Sequence, residues 1–202
     1  MRIPTFEEFV NERLFKPSID RIKNGESRKE DIIRPQTKEE LKRIIENTIK
    51  DKNDFIDLNF IDVADITDMS RLFYELHSKL TNFDISKWDV SNVKDMSFMF
   101  EMCYDFNCDL SGWDVSNVNS MQQMFASCES FNSDISKWDV SNVKDMRMMF
   151  YECKNFNCDL SKWNISDDTD IEKIFSYCPK LELPDWYYDR MNFPDWSRKK
   201  KN

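Results

Sequence analysis

A repeat of 25 residues constrains the fold of this chain more than any other feature of its sequence. Tryptophan recurs at this interval, at Trp88, Trp113, Trp138 and Trp163. Segments 84–93 and 134–143 are identical, and a fainter copy with Ile61 in place of tryptophan precedes them. Such units bury their apolar faces only against their neighbours, so a repeat of this length predicts a stacked array. We predict five units between residues 61 and 180.

The apolar spacing changes within each unit. The first half follows an L-x-x-L-x-L spacing, at Ile85, Trp88 and Val90. This spacing predicts a short strand at 88–90, with the side chains of alternate residues on the solvent face. The second half has the spacing of one helix face, at Val93, Met96, Met99, Phe100 and Cys103. Asn92 followed by Asp95 has the spacing of a helix N-terminus.

These features together predict the fold class. We expect an α/β repeat, a leucine-rich-repeat solenoid of five strand–helix units. Columns of Trp, Met, Phe and Cys side chains would form its interior.

The unit motif F-N-x-D-I-S-K-W-D-V-S-N-V-K-D-M-x-x-M-F-x-x-C resembles the BspA-like leucine-rich repeats of mycoplasma and other bacterial surface proteins, which also occur in phage genomes. The resemblance covers the repeat segment, residues 61–180. It implies a leucine-rich-repeat solenoid and a binding or adhesion role.

The segments outside the repeats have distinct patterns. Residues 1–36 are predicted to be an N-terminal arm and linker, and 37–60 a capping helix and entry segment. The helix would begin at Thr37 as its N-cap and bury one apolar face, made of Leu41, Ile44, Ile45 and Ile49. Residues 181–202 supply aromatic side chains for a C-terminal cap, followed by the basic tail 198–201.

Composition excludes several classes of function. The chain has one histidine, His77, two glycines and a formal net charge of -9. Sites of His-based catalysis, His-rich metal sites, glycine-rich phosphate loops and general nucleic-acid binding are therefore not expected. No pair of carboxylates differs from the other members of its column, so we predict no catalytic residue, no cofactor and no enzymatic activity.

The expected location follows from the segments that the sequence lacks. No apolar run approaches the length of about 20 residues that a membrane helix needs. The first residues contain acids where a signal peptide would be apolar, and they include no cysteine for a lipid anchor. We expect no membrane insertion and a cytoplasmic or virion-associated protein.

Four of the six cysteines share one repeat position, Cys103, Cys128, Cys153 and Cys178, and two share another, Cys108 and Cys158. Buried cysteines that act as small apolar side chains would explain the first column. Disulfides between units are an alternative that needs an oxidising compartment. Zinc is a further alternative, although no C-x-x-C pair is present.

Two columns of aspartates raise the question of charge repulsion. Hydrogen bonds to turn backbone would satisfy the first column, Asp84, Asp109, Asp134 and Asp159. Lysines two residues away would pair with the second column, Asp89, Asp114 and Asp139. Calcium bound between carboxylates is the alternative.

The solvent face of the predicted strands is the candidate partner-binding surface. Its residues are Lys87, Asp89, Ser91, Asp114, Ser116, Lys137, Asp139, Ser141, Lys162 and Asn164. Because its charges are mixed, this face suits a protein partner better than an apolar small molecule. We predict a non-enzymatic protein-binding module. The alternatives are a structural or assembly component, for example of a phage virion, and a bacterial surface or adhesion-type protein.

Overall fold

The computed structural model describes residues 32–49, 55–76 and 83–191. In chain order its elements are helix α1 (Lys38–Ile49), strand β1 (Ile56–Asp57), a 3-10 turn (Tyr74–Leu76), strand β2 (Phe83–Asp84) and helix α2 (Asp185–Arg190). The two strands pair in parallel, with Ile56 opposite Phe83 and Asp57 opposite Asp84. Most of the predicted arm (1–31), His77 and the basic tail lie outside the described residues.

The predicted leucine-rich-repeat solenoid of five strand–helix units is wrong. Between Phe83 and Pro184 the structure contains no helix, and its only strand there is the two-residue β2. Neither the strand at 88–90 nor the helix from Val93 to Cys103 forms. Each unit instead consists almost entirely of turns.

The turns explain why the apolar spacing resembled that of a helix. The N–H of Trp88 donates to the carbonyl of Ile85, and the N–H of Met99 donates to the carbonyl of Met96. Both bonds close a turn between residues three apart, as β-turns do. Apolar residues at both ends of such a turn face the interior, so consecutive turns share the three-residue spacing of a helix face.

Positive φ angles prevent these segments from forming helices. Two residues in each of the four complete units adopt φ between 51° and 63°, namely Phe98 and Met102, Gln123 and Ser127, Met148 and Glu152, and Lys173 and Tyr177. The right-handed helix requires negative φ throughout, and the left-handed region costs an L-residue about 1–2 kcal/mol. The contacts between units must offset this strain.

Backbone hydrogen bonds between successive units supply those contacts. The N–H groups of Met96, Phe98, Phe100 and Met102 donate to carbonyls of the next unit over 2.8–2.9 Å. The acceptors are Ser120, Gln122, Met124 and Ala126. The next two unit pairs repeat the pattern, which we call the inter-unit ladder. Parallel bridges mark its start, from Asp68 through Asp95, Ser120 and Asp145 to Asp170.

The side chains stack in columns inside the array. The rings of Phe100 and Phe125 lie 5.5 Å apart and 3° from parallel. Those of Trp113 and Trp138 lie 6.5 Å apart, again 3° from parallel. The methionines at Met96, Met121 and Met146 are fully buried. The prediction that Trp, Met and Phe columns form the interior is confirmed.

Helix α1 lies against the first unit. The Thr37 hydroxyl accepts a hydrogen bond from the Glu40 N–H at 3.1 Å, which confirms the predicted N-cap. Leu41, Ile44 and Ile45 are buried in the same core cluster as the first unit. Lys38 forms an ion pair with Asp68 at 2.7 Å, so α1 also contacts the start of the ladder.

Helix α2 lies against the last unit. The Trp186 indole N–H donates to the carbonyl of Leu160 at 2.9 Å. Two further aromatic contacts, from Trp186 and Tyr187, reach the Phe175 ring. In the described part of the chain, neither helix is long and apolar enough to cross a membrane.

Candidate partner-binding face

The ten predicted site residues all lie at the surface, exposed or half-exposed, and we call this set the Asp–Ser face. Lys87 and Asp89 are exposed on either side of the buried Trp88, and Val90 is buried again. The predicted alternation of exposure is therefore present without the predicted strand. The turn between Ile85 and Trp88 produces it instead.

Each aspartate of the face is held by the serine two residues later. Oδ1 of Asp89 accepts hydrogen bonds from the Ser91 N–H at 3.1 Å and the Ser91 hydroxyl at 2.6 Å. Asp139 repeats this arrangement with Ser141 at 3.1 and 2.7 Å. Oδ1 of Asp114 accepts from the Ser116 N–H at 3.0 Å. Within the described residues, Oδ2 of all three aspartates makes no hydrogen bond or ion pair.

The neighbouring aspartate column forms the same turn. Oδ1 atoms of its members accept the N–H two residues later over 2.8–3.0 Å, at Asp84, Asp109, Asp134 and Asp159. This confirms the prediction of turn hydrogen bonds for this column.

The predicted pairing of lysines with the Asp89 column is wrong. Among the ion pairs of the described chain, none joins Lys87, Lys137 or Lys162 to these aspartates. The pKa of Asp134 and that of Asp159 lie below the usual value chiefly because Ser136 and Ser161 donate hydrogen bonds to the carboxylates, and the charges of Lys137 and Lys162 add a smaller lowering effect. The prediction failed because it assumed that residues two apart lie side by side on a strand.

The serine contacts outweigh the repulsion between like charges. The pKa of Asp89 and that of Asp139 lie below the usual value, chiefly because the hydroxyls of Ser91 and Ser141 donate to the carboxylates. The charge of Asp114 acts in the opposite direction on both. The column therefore remains ionised at neutral pH, with its orientation set by the turns.

The asparagines of the Asp–Ser turns have a role that the sequence analysis missed. Asn92, predicted to be a helix cap, donates from Nδ2 to the carbonyl of Ala64 in the preceding unit at 2.9 Å. Asn117 and Asn142 do the same with Ser91 and Ser116 at 2.9 and 2.7 Å. Their recurrence every 25 residues was the available signal, since it places one amide on each of three successive unit boundaries.

The cysteines behave as uncharged side chains, three of them buried and three half-buried. All six are free. The Cys128 and Cys153 thiols donate to the carbonyls of Phe100 and Phe125 at 2.9 and 3.0 Å. Burial raises the pKa of Cys103 to about 12 and that of Cys178 to about 11, so these thiols stay protonated.

No metal centre is visible in the residues that the structure describes. There, no three His, Cys, Asp or Glu side chains are close enough together to hold an ion. Successive thiols of the cysteine column bond to carbonyls of successive units and do not converge on one point. The aspartates are separated in the same way, one to each unit.

Comparison with protein families yields one match. A family model described as "Mycoplasma protein of unknown function, DUF285" matches residues 40–134 and, in a second overlapping match, 67–186. Comparisons with curated proteins and with solved structures yield no match.

Proposed function

We propose that this chain, which belongs to the DUF285 family, is a non-enzymatic protein-binding module that contacts a basic protein surface through its Asp–Ser face. The family description assigns no activity, so the proposal comes from the geometry of the face. The unit motif further supports a relationship between this family and the BspA-like repeat proteins. We also propose a cytoplasmic or virion-associated location.

The supporting observation is the fixed and outward-facing carboxylate of each unit. Since Oδ1 of Asp89, Asp114 and Asp139 is occupied by the local turn, Oδ2 remains for a partner. A row of ionised groups whose orientation is already set loses little entropy on binding. Such a row favours association with opposite charge, and the chain as a whole carries a net charge of -9.

The same arrangement argues against catalysis on this face. Each of the three aspartates of the column accepts hydrogen bonds from the serine two residues later, and each has a pKa below the usual value for the same reason. A general acid would need a raised pKa, and an acid–base pair would need two carboxylates with different environments. The face provides neither.

A matched pair of variants tests the proposal. Asp89→Asn, Asp114→Asn and Asp139→Asn together remove three charges but keep the turn, since an Asn side-chain oxygen accepts the same hydrogen bond. The control combines Asp95→Asn, Asp145→Asn and Asp170→Asn, which removes the same charge from the start of the ladder.

Wild type and both variants, shown by thermal melts to be folded, are immobilised and exposed to lysate of the native source. Any captured protein is purified and its affinity is measured. Loss of three charge pairs of about 0.5 kcal/mol each predicts binding about tenfold weaker for the face variant and near wild type for the control. Equal affinity for all three chains contradicts the proposal. If wild type retains no protein, the structural or assembly role becomes the better hypothesis.

A further inference from the structure

Two tyrosines form a corner beside the inter-unit ladder, at the boundary between the last two units. The rings of Tyr151 and Tyr177 lie 5.3 Å apart, with 83° between their planes. The Tyr177 residue is 70% exposed, and Tyr151 is half-buried. Together with Met148, Lys173 and Ser176 the two rings line a cavity of about 390 Å³, which we call the tyrosine cleft.

The repeat itself does not account for this pair of rings. In the other three complete units, the residues at the two equivalent positions are not aromatic. They are Glu101, Ala126 and Ser176 for Tyr151, and Met102, Ser127 and Glu152 for Tyr177. A ring left largely in water also stabilises the fold little, because apolar area contributes only when it is removed from water.

The first unit shows what aromatic rings bind on this side of the array. Tyr74 occupies the position equivalent to Tyr151, and the guanidinium of Arg71 lies 5.5 Å from the centre of its ring. The same guanidinium lies 4.2 Å from the ring centre of Phe98, in the next unit. Aromatic faces attract cations over distances of up to about 6 Å. Rings of two successive units therefore already hold one cation here.

The charges around the tyrosine cleft also favour a cation. Burial and the nearby charge of Glu152 raise the pKa of Tyr151, so this carboxylate lies beside the cleft. Lys173 adds a positive charge, but its ammonium lies 3.5 Å from the carboxylate of Glu172. Glu152 and Glu172 together therefore outweigh the charge of Lys173.

We infer that the tyrosine cleft binds a small quaternary ammonium compound, with the methylated nitrogen in the corner between the two rings. A cation in this corner can lie within about 6 Å of both ring centres. Its methyl groups suit the ring faces and the apolar side chain of Met148. A primary ammonium suits the cleft less well, because it is strongly hydrated and ring faces replace few of its hydrogen bonds.

The backbone holds the two walls of the cleft in place. The N–H of Met148 donates to the carbonyl of Glu172, and the N–H of Glu152 donates to the carbonyl of Ser176, both at 2.9 Å. These ladder bonds join the two units that carry the rings. A site whose walls are fixed in advance loses little entropy when its ligand binds.

Titration of the full chain with choline, followed by NMR, tests the inference. The chemical shift of the Met148 methyl group should change in a saturable way, while sodium chloride keeps the ionic strength constant. The comparison ligand is the neutral alcohol in which carbon replaces the nitrogen of choline. Because this alcohol has the same shape without the charge, it should bind at least about fivefold more weakly.

Variants of the cleft separate the effect of the ring from that of the charge. Tyr177→Ala should weaken choline binding at least about fivefold, whereas Tyr177→Phe keeps the ring and should stay within about twofold of wild type. Lys173→Gln removes a repelling charge and should strengthen binding about twofold. Tyr104→Ala, which removes an exposed tyrosine from an earlier unit, is the control and should leave the affinity unchanged. Thermal melts establish that each variant is folded.

Absence of a saturable shift with choline would overturn the inference, as would equal affinity for choline and the neutral alcohol. So would an affinity that Tyr177→Ala leaves unchanged, because the cation would then bind elsewhere. Retention of the chain on phosphatidylcholine vesicles without binding of free choline would assign the cleft to a membrane surface instead. None of these results involves the Asp–Ser face, so failure here is separate from failure of the proposed function.

Discussion

At the scale of single residues, polar groups on the repeated side chains form hydrogen bonds between neighbouring units of the array. The indole N–H of Trp138 donates to the carbonyl of Leu110 at 3.1 Å, and the other repeat tryptophans make the equivalent bond. Cysteine thiols and asparagine amides also donate to the preceding unit, as at Cys153 and Asn142. Each boundary is therefore joined by specific hydrogen bonds as well as by apolar contact.

Trp138→Ala should lower the free energy of unfolding by about 3–5 kcal/mol, since it removes a buried aromatic ring from an inner unit. Trp138→Phe keeps an aromatic ring in the core but removes the indole N–H donor. The loss of this hydrogen bond should lower the free energy of unfolding by about 0.5–1.5 kcal/mol. Urea unfolding measures both changes. Lys137→Ala, at the exposed neighbour, is the control and should change stability by less than about 0.5 kcal/mol. A loss below about 1 kcal/mol for Trp138→Ala would place the ring outside the core.

At the scale of elements, the repeat units differ from a helix in the sign of φ, which is positive at two residues in each of the four complete units and negative throughout a right-handed helix. Lys173 lies at φ 54° with an exposed side chain, so its substitution tests the backbone with little effect on packing. Glu46, in the interior of α1, provides the matched position in a true helix.

Lys173→Gly should be more stable than Lys173→Ala by about 1 kcal/mol, because only glycine adopts positive φ without steric cost. At Glu46 the order should reverse, with glycine less stable than alanine by about 1 kcal/mol. Thermal unfolding of the four variants gives both differences. The same order at both positions would indicate that residues 171–178 are helical.

At the scale of the whole molecule, the aspartate turns make stability depend on pH. Nine described aspartates have a pKa below the usual value, namely Asp68, Asp84, Asp89, Asp114, Asp134, Asp139, Asp145, Asp159 and Asp168. Hydrogen bonds to the carboxylates are the lowering cause common to all nine. Glu101 acts in the opposite direction, since burial raises its pKa.

Stability should therefore fall as the pH drops below about 4. A carboxyl with a lowered pKa in the folded state stabilises above its unfolded pKa of about 3.9, and this contribution is lost as pH falls through the folded value. The pKa of Asp168 is about 2, so the loss should extend to that pH. Melting temperatures at pH 7, 4, 3 and 2 measure the decline.

The variant carrying Asp89→Asn, Asp114→Asn and Asp139→Asn should lose less stability over this interval, since its three turns no longer titrate. A melting temperature that stays constant or rises down to pH 3 would show that relief of charge repulsion dominates.

Much of the interior and of the candidate face could be predicted from the sequence. A strict period places identical residues in columns, so the burial of Trp138 and Phe125 follows from the repeat alone. Helix α1 was predictable because its cap and its apolar face are local in sequence. The exposure of Asp89 and the turn bond of Asp84 also follow from local pattern and side-chain chemistry.

The tertiary structure decided the conformation of the units. A spacing of three residues suits both a helix face and consecutive turns, and bonds between residues 24 apart in sequence favour the turns. Those bonds also impose positive φ on residues such as Phe98 and Met148, for which no local signal exists. The bond from Asn92 to Ala64 depends likewise on which units become neighbours. Sequence therefore determined which side chains are buried, whereas contact between units determined the backbone that buries them.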